Sequence, residues 1–365
     1  MNTADLTTMT YRSYLAATSG LLCEAQSIIQ EVRSEPTFLS TPSLVVEVIL
    51  VEGVVAIYRG DLEHAKSRLS RVVAFCEQSP LNDLTALARG WLALIAYNDG
   101  AVVESAHLVA RGLECPAELS SRARLRLSTI ASLLAAYVGL DEVAKRWLLS
   151  ARIAASELGV RGSLSSVAFD LAVAALDRCS YDRLRGQLSS SAAEDVLIRV
   201  TSAKGYDAGA GSTLQPSLHV LAYGMALNLC GRYTEAQGEI RKFLGSEPAS
   251  RYGDSICAKS ELALAILGSQ DLPLEDSMEV ELWSALSRLR DPVEKGALIA
   301  VLSESNMRRG LVDRAMGMKV LLDEQIKVRM GLELELSDVL SAAGMMSPPS
   351  DWMRATATTN GGRPA

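Results

Sequence analysis

Aromatic side chains are scarce in this chain. Phe, Trp and Tyr make up 5% of its 365 residues, against 48% for hydrophobic types as a whole. A buried core must then be assembled from Ala, Leu, Val and Ile, a composition that suits closely packed helices. Strand signals are almost missing: the β-branched run from Val45 to Val55 is continuous and set between helix signals, and it predicts a buried helix. Only three histidines occur. His64 and His107 fall where a partly exposed or locally hydrogen-bonded imidazole is expected, and His219 opens a helix where exposure is expected. A surplus of positive charge is lacking too. The net charge of −7 and pI near 5.3 argue against direct nucleic-acid binding, which draws its affinity from Lys and Arg. The dense basic stretch Arg122, Arg124 and Arg126 is expected to be solvated and groove-edge charge.

Apolar runs stop short of the ~20 residues needed to span a bilayer, because Glu52, Arg59 and similar residues interrupt them. Met1 to Thr10 has neither the positive charge nor the long apolar core of a secretory signal. Leu21-Leu22-Cys23 places a leucine where a lipoprotein cleavage box needs a small residue. The expectation is a cytoplasmic protein without membrane contact. Cys23, Cys76, Cys115, Cys179, Cys230 and Cys257 are scattered with no two-residue spacing, which predicts buried free thiols and no zinc. The glycine-rich stretch Gly205 to Thr213 lacks the preceding strand and the Gly-Lys-Ser/Thr ending of a phosphate loop. No cofactor, no metal and no catalytic chemistry are expected.

What the chain does contain is a Gly-x-x-x-x-Ala signature that returns at intervals of 39 to 41 residues. Gly20/Ala25, Gly60/Ala65, Gly139/Ala144, Gly231/Ala236 and Gly310/Ala315 match it, and Gly100 has a longer version ending at Ala106. Ser180 and roughly Asp271 fall where the period requires a turn but lack the motif. Such self-similarity predicts a solenoid of stacked helical hairpins. In the copy from Ser217 to Pro248, an apolar helix with small Gly224 leads to Cys230-Gly231. A second helix then buries Ile240, Phe243 and Leu244 until Pro248 closes it. Glycine can take the left-handed backbone that ends the first helix, and Ala236 lets the second approach closely.

This copy resembles the tetratricopeptide repeat, with small residue, Gly, aromatic, Ala and Pro in that family's spacing; Val46 to Ala65 fits through Gly53, Gly60, Leu62 and Ala65. Units of ~40 residues rather than 34 look like the helical-repeat sensor region of bacterial activators related to the maltose-regulon regulator. The phosphate loop and helix-turn-helix of those activators are not found here. The resemblance implies an all-α, right-handed superhelix of about eight helix-turn-helix repeats. We expect it over residues 1–345, with an irregular loop insertion about 189–216, a closing cap about 332–345 and a flexible tail at 346–365.

In tetratricopeptide stacks the first helix of each hairpin lines a concave groove. By that resemblance Tyr58, Tyr97 and Tyr137, spaced 39 and 40 residues apart, form a ladder on the inner face. Asn98 can bond a peptide amide and Arg126 a carboxylate, while Asn228 is the polar exception among apolar inner positions such as Leu50, Val54, Leu221 and Met225. The plainer reading keeps the tyrosines as filler between hairpins and Asn98 as a helix cap. The expected role is a non-catalytic adaptor for another protein or a peptide, or else a regulatory sensor of a small molecule or signalling peptide.

Overall fold

The computed structural model describes residues 2–76, 81–159, 161–210, 216–245 and 252–353. Among the described residues the chain is all-α, with sixteen α-helices and no strand. In chain order these are α1 (Thr3–Thr18), α2 (Leu22–Ser34), α3 (Pro42–Tyr58), α4 (Leu62–Cys76), α5 (Asn82–Asn98), α6 (Val102–Gly112), α7 (Ser121–Tyr137) and α8 (Asp141–Leu158). They continue as α9 (Arg161–Leu184), α10 (Ser190–Ala210), α11 (Pro216–Leu229), α12 (Tyr233–Gly245), α13 (Tyr252–Ser269), α14 (Asp276–Ala285), α15 (Pro292–Arg308) and α16 (Val312–Ala342). Pro248 and residues 354–365 of the tail expected over 346–365 lie outside the described residues, whereas 346–353 are placed and include buried Trp352.

The motif glycines Gly20, Gly60, Gly100, Gly139, Gly231 and Gly310 all have φ between 71° and 83°. An L side chain resists that left-handed backbone, which is why glycine stands there. Each turn is closed by the same long bond, such as Leu21 N–H to Ala16 O at 2.9 Å and Arg232 N–H to Leu227 O at 2.9 Å. The bond satisfies a carbonyl that the ending helix would otherwise leave open. The two helices thus leave the turn folded back on each other.

What lets them touch is a second regularity. Seven residues before each turn glycine stands a small residue, and five after it another: Ser13 and Ala25, Gly53 and Ala65, Ala93 and Ser105, Ser132 and Ala144, Gly224 and Ala236, Ser303 and Ala315. Ser13, Ser132 and Ser303 donate their hydroxyls to Ala25, Ala144 and Ala315 carbonyls at 2.7, 2.8 and 3.0 Å. In the third pair the direction reverses, with Ser105 donating to Ala93 O at 2.8 Å. Ser105, not Ala106, therefore fills the alanine place after Gly100. A cross-helix bond to a backbone oxygen requires close approach, which only small side chains permit.

Three expectations are corrected. Ser180 does not make a turn: α9 continues through it to Leu184, and Gly186 takes the left-handed backbone instead, with φ of 67°. Ser180 is itself buried, beside the contact in which Cys179 Sγ approaches Ala192 O at 3.8 Å. The stretch expected to leave the stack as a loop from residue 189 is helical through Ala210, as α10. The expected separate cap over 332–345 is instead the end of the 31-residue helix α16.

Around Asp271 the chain leaves the helix, and no turn glycine is present. The backbone between α13 and α14 is held by side chains of α15 and of its capping residue Arg309: Ser305 Oγ accepts from Leu274 N–H at 3.2 Å, Arg309 Nη2 donates to Leu274 O at 2.5 Å, and Arg308 donates to Gln270 O. Cationic donors do here what the left-handed glycine does elsewhere.

The chain divides into two compact units: Met1–Ala168 with Asp207–Leu214 and Leu336–Ala365, and Phe169–Tyr206 with Gln215–Glu335. In the first, α1, α3, α5 and α7 pack in succession, and α2, α4, α6 and α8 fold against them. The run Val45 to Val55 is indeed a buried helix, part of α3, enclosed by α1, α4 and α5. The second unit contains one apolar cluster around Leu227, Ile240, Phe243 and Leu262, and another around Leu267, Leu282, Leu298 and Leu302.

A Cβ added at Gly224 would stand 2.6 Å from Ile240 Cγ1, on a stiff β-branched side chain. Gly224→Val is therefore expected to lower the unfolding free energy by about 1–3 kcal/mol. Gly238 meets nothing within 4 Å, and Gly238→Ala in the exposed face of α12 is expected to raise it by about 0.5–1 kcal/mol. Urea unfolding of both variants measures the pair; equal effects would remove the close-approach account.

Candidate functional site

Four first helices of the opening unit share one cluster of rings and charges. On α7, Arg122 and Arg126 lie one turn apart and so face the same way. Gly90 of α5 makes room for Arg126, because a Cβ there would lie 2.8 Å from Arg126 Cγ. The arginine stem lies along α5, and its guanidinium carbon sits 3.6 Å from the centroid of the Trp91 ring. Trp91 is met edge-on by Tyr14 of α1 and Tyr58 of α3, at 6.5 and 6.0 Å between centroids. A guanidinium over an indole face is a favourable electrostatic contact, and more so out of water.

Arg122 ties distant hairpins together. Its Nη1 lies 2.8 Å from Glu47 Oε1 of α3, and its guanidinium carbon is 4.9 and 5.3 Å from the centroids of Tyr11 and Tyr14. Both partners of this pair are buried. Burial works against the Arg122 charge, but Glu47, by charge and by hydrogen bond, outweighs it and holds the guanidinium more firmly protonated than usual. Burial likewise pushes the Tyr14 phenol up, although Arg126 and Arg122 pull the other way, so the ring keeps its proton. Arg126 differs from its neighbour. It is 7% exposed, its Nε has no hydrogen-bond partner among the described residues, and no described carboxylate lies within ion-pair distance.

The expected site residues divide between this cluster and other places. Tyr58 and Arg126 both meet Trp91. Tyr97 and Tyr137 come together edge to face at 6.3 Å, with Tyr137 buried and Tyr97 half-buried. Asn98 is exposed as the last residue of α5. Asn228 is buried in the second unit, and its Nδ2 donates to Glu261 O at 2.9 Å and Oε2 at 2.8 Å, joining α11 to α13. Arg183 Nη2 reaches the other oxygen of Glu261 at 3.1 Å. Asn228 thus serves a buried carboxylate.

Other expectations change as well. The basic stretch is not solvated: Arg122 and Arg126 are buried and Arg124 pairs with Glu157. His219 is not exposed but packs on Phe169, with ring centroids 4.2 Å apart. Cys76 and Cys179 are buried as expected, whereas Cys23 and Cys115 are exposed; none of the six forms a disulfide. His64 accepts from Arg68 at 3.2 Å, a local bond of the expected kind. Trp91, Glu47, Arg122 and Tyr14 are not marked as site residues by the repeat pattern of the sequence. A signal for two of them exists, since Glu47 interrupts an apolar helix and a buried carboxylate must find a cation.

The second unit has a charged node of its own. Arg329 of α16, fully buried, lies 3.4 Å from Asp177 Oδ2 of α9 and 3.4 Å from Glu333 Oε1, with its guanidinium carbon 5.2 Å from the Tyr181 ring centroid. Arg178 Nη1 also reaches Glu333 at 2.9 Å. Burial, opposed by Arg329 and Arg178 and aided by Asp291 and Glu333, pushes the Asp177 carboxyl up to about 6. Among the described residues no group of His, Cys, Asp and Glu is placed to hold a metal ion, and no helix is long and apolar enough to cross a membrane.

Removing Glu47 strands a buried cation. Glu47→Ala is expected to cost about 3–5 kcal/mol in chemical unfolding, and Glu47→Leu combined with Arg122→Met to recover most of it. At Asp177 the folded pKa lies above the unfolded value of about 3.9. Its stabilising contribution is therefore complete below about pH 4 and is lost as pH rises through about 6. The stability difference between Asp177→Asn and wild type should shift in the variant's favour between about pH 4 and pH 7. A difference that stays flat across that window would contradict the assignment.

No protein-family model matches the chain, and no curated protein matches it either.

Proposed function

We propose that the chain is a non-catalytic adaptor, a tetratricopeptide-like, right-handed solenoid of about eight repeats that binds another protein or a peptide along its first helices. The observation that supports this reading is Arg126. A guanidinium held against Trp91, nearly buried and with no described carboxylate partner, is stabilised when a ligand supplies the anion. Half-buried Tyr58 meets the same ring and offers apolar area beside the charge. Inner residues Leu50, Val54 and Ile57 are buried and apolar, so polar grip in this part of the unit comes from few groups. The ligand this suits is an extended, largely apolar segment with an acidic group.

A second reading, a cytoplasmic regulatory sensor of a small acidic molecule, draws on Arg122. That residue links α7 to α3 and α1, so a ligand at Arg126 one turn away would bear on the packing of three hairpins.

Affinity capture with wild type, Arg126→Gln and Tyr58→Ala tests the proposal. Loss of a charge-assisted bond is worth roughly 1.5–3 kcal/mol, so Arg126→Gln should weaken a true partner about tenfold or more with helicity unchanged. Equal retention of every partner by all three proteins would defeat the adaptor reading. A thermal shift caused by small acidic metabolites and absent in Arg126→Gln would favour the sensor instead.

A further inference from the structure

Beyond α16 the chain does not simply run off. Gly344 takes the left-handed backbone with φ of 68°, Met345 N–H closes the turn onto Leu340 O at 2.8 Å, and residues 345–353 lie within the first unit. Their last part is a 3-10 turn, Ser350–Met353, that packs on α8. Met345, Pro348 and Trp352 are buried, while Met346, Ser347, Ser350 and Asp351 are exposed.

The contacts are those by which a protein reads a peptide. Trp147 of α8 donates from Nε1 to Met345 O at 2.7 Å, and Arg146 donates from Nη2 to Met346 O at 3.1 Å. The Trp352 ring stands edge-on to Trp147, with centroids 6.3 Å apart, and its Nε1 donates to Pro116 O at 3.2 Å. Side chains of α8 thus satisfy backbone carbonyls of the segment, a recognition that does not depend on the residues between the anchors. The tryptophan supplies the specificity, since it needs both an aromatic wall and an acceptor for its N–H.

Docking of such a segment sets two opposed terms against each other. Three buried side chains favour docking, and the conformational freedom lost over the whole stretch opposes it. Pro348 and Pro349 reduce that loss, because each ring restricts φ before docking begins. A single left-handed hinge at Gly344 joins the stretch to α16, so its release costs that helix at most the closing bond from Met345 N–H to Leu340 O.

We propose that α8, with the carbonyl of Pro116, is a docking site for an extended peptide bearing an apolar residue, a proline pair and a tryptophan, and that residues 345–353 occupy it reversibly in cis. The site uses the second helix of its hairpin and owes nothing to the Arg126 cluster. A partner segment of the same chemistry competes with the chain's own.

The test is fluorescence anisotropy of a labelled peptide of residues 344–353 against the full-length chain. Trp352→Ala, which frees the site, should bind the peptide at least tenfold more tightly than wild type. Adding Trp147→Phe, which keeps a ring but removes the N–H donor, should weaken that binding several-fold with helicity unchanged. Should Trp352→Ala lose helicity, Trp352→Leu takes its place in the same comparison. Equal binding by wild type and the freed variant, or no binding by a folded freed variant, overturns the proposal.

Discussion

The closeness of two helices at one point governs this molecule. Seven residues before the turn glycine and five after it, side chains no larger than serine allow the backbones to touch. The left-handed turn brings the helices back together, but the small pair sets how near they come and at what height along each other. Ser13, Ser132 and Ser303 record that distance directly by bonding to a carbonyl of the neighbouring helix. At Gly53 and Gly224 the same point is filled by Leu69 and Ile240. Where successive hairpins have this form, first helices can lie beside first helices, and contacts far apart in sequence become short.

Buried charge then joins what the hairpins place side by side. Glu47 and Arg122 are 75 residues apart and 2.8 Å in space. In the second unit Glu261 gathers Asn228 from α11 and Arg183 from α9, and Arg329 gathers Asp177 and Glu333. Each is a carboxylate or guanidinium removed from water and paired with at least one partner on another helix, the arrangement that makes removal of one member more costly than replacement of both. Arg126 departs from this pattern, having a ring where its neighbour has a carboxylate. An interior that otherwise pairs its charges so consistently makes that exception the place to look for a ligand.

Much of the fold was legible because it is local. Gly231 has to end a helix for reasons within six residues, and Val45 to Val55 has to be buried because little in it tolerates water except Glu47 and Glu52. Where local cues misled, a longer-range contact had taken over. Ser180 sits in the right interval for a turn, yet the neighbouring Cys179–Ala192 contact shows this stretch inside a hairpin, and Gly186 turns the chain instead. The connection near Asp271 lacks glycine because Arg308, Arg309 and Ser305 of a later helix satisfy its backbone. For the candidate site the tyrosines were visible as a repeat. Trp91, on which two of the expected residues converge, was not, since it occurs once.

By itself the sequence determined the all-α class of structure, the turns at Gly20, Gly60, Gly100, Gly139, Gly231 and Gly310 and the register of most hairpins they close, since these follow from backbone sterics and from side-chain size at fixed intervals. Only the tertiary structure decided which charges meet. Arg122, Arg124 and Arg126 look alike in the chain, and their environments diverge into a carboxylate on α3, a carboxylate on α8 and an indole on α5. The same is true of Trp352, which nothing nearby in sequence would bury and which finds Trp147 and Pro116 more than 200 residues away. Pairing across such distances depends on the summed packing of the intervening hairpins, a quantity that no single window of the sequence contains.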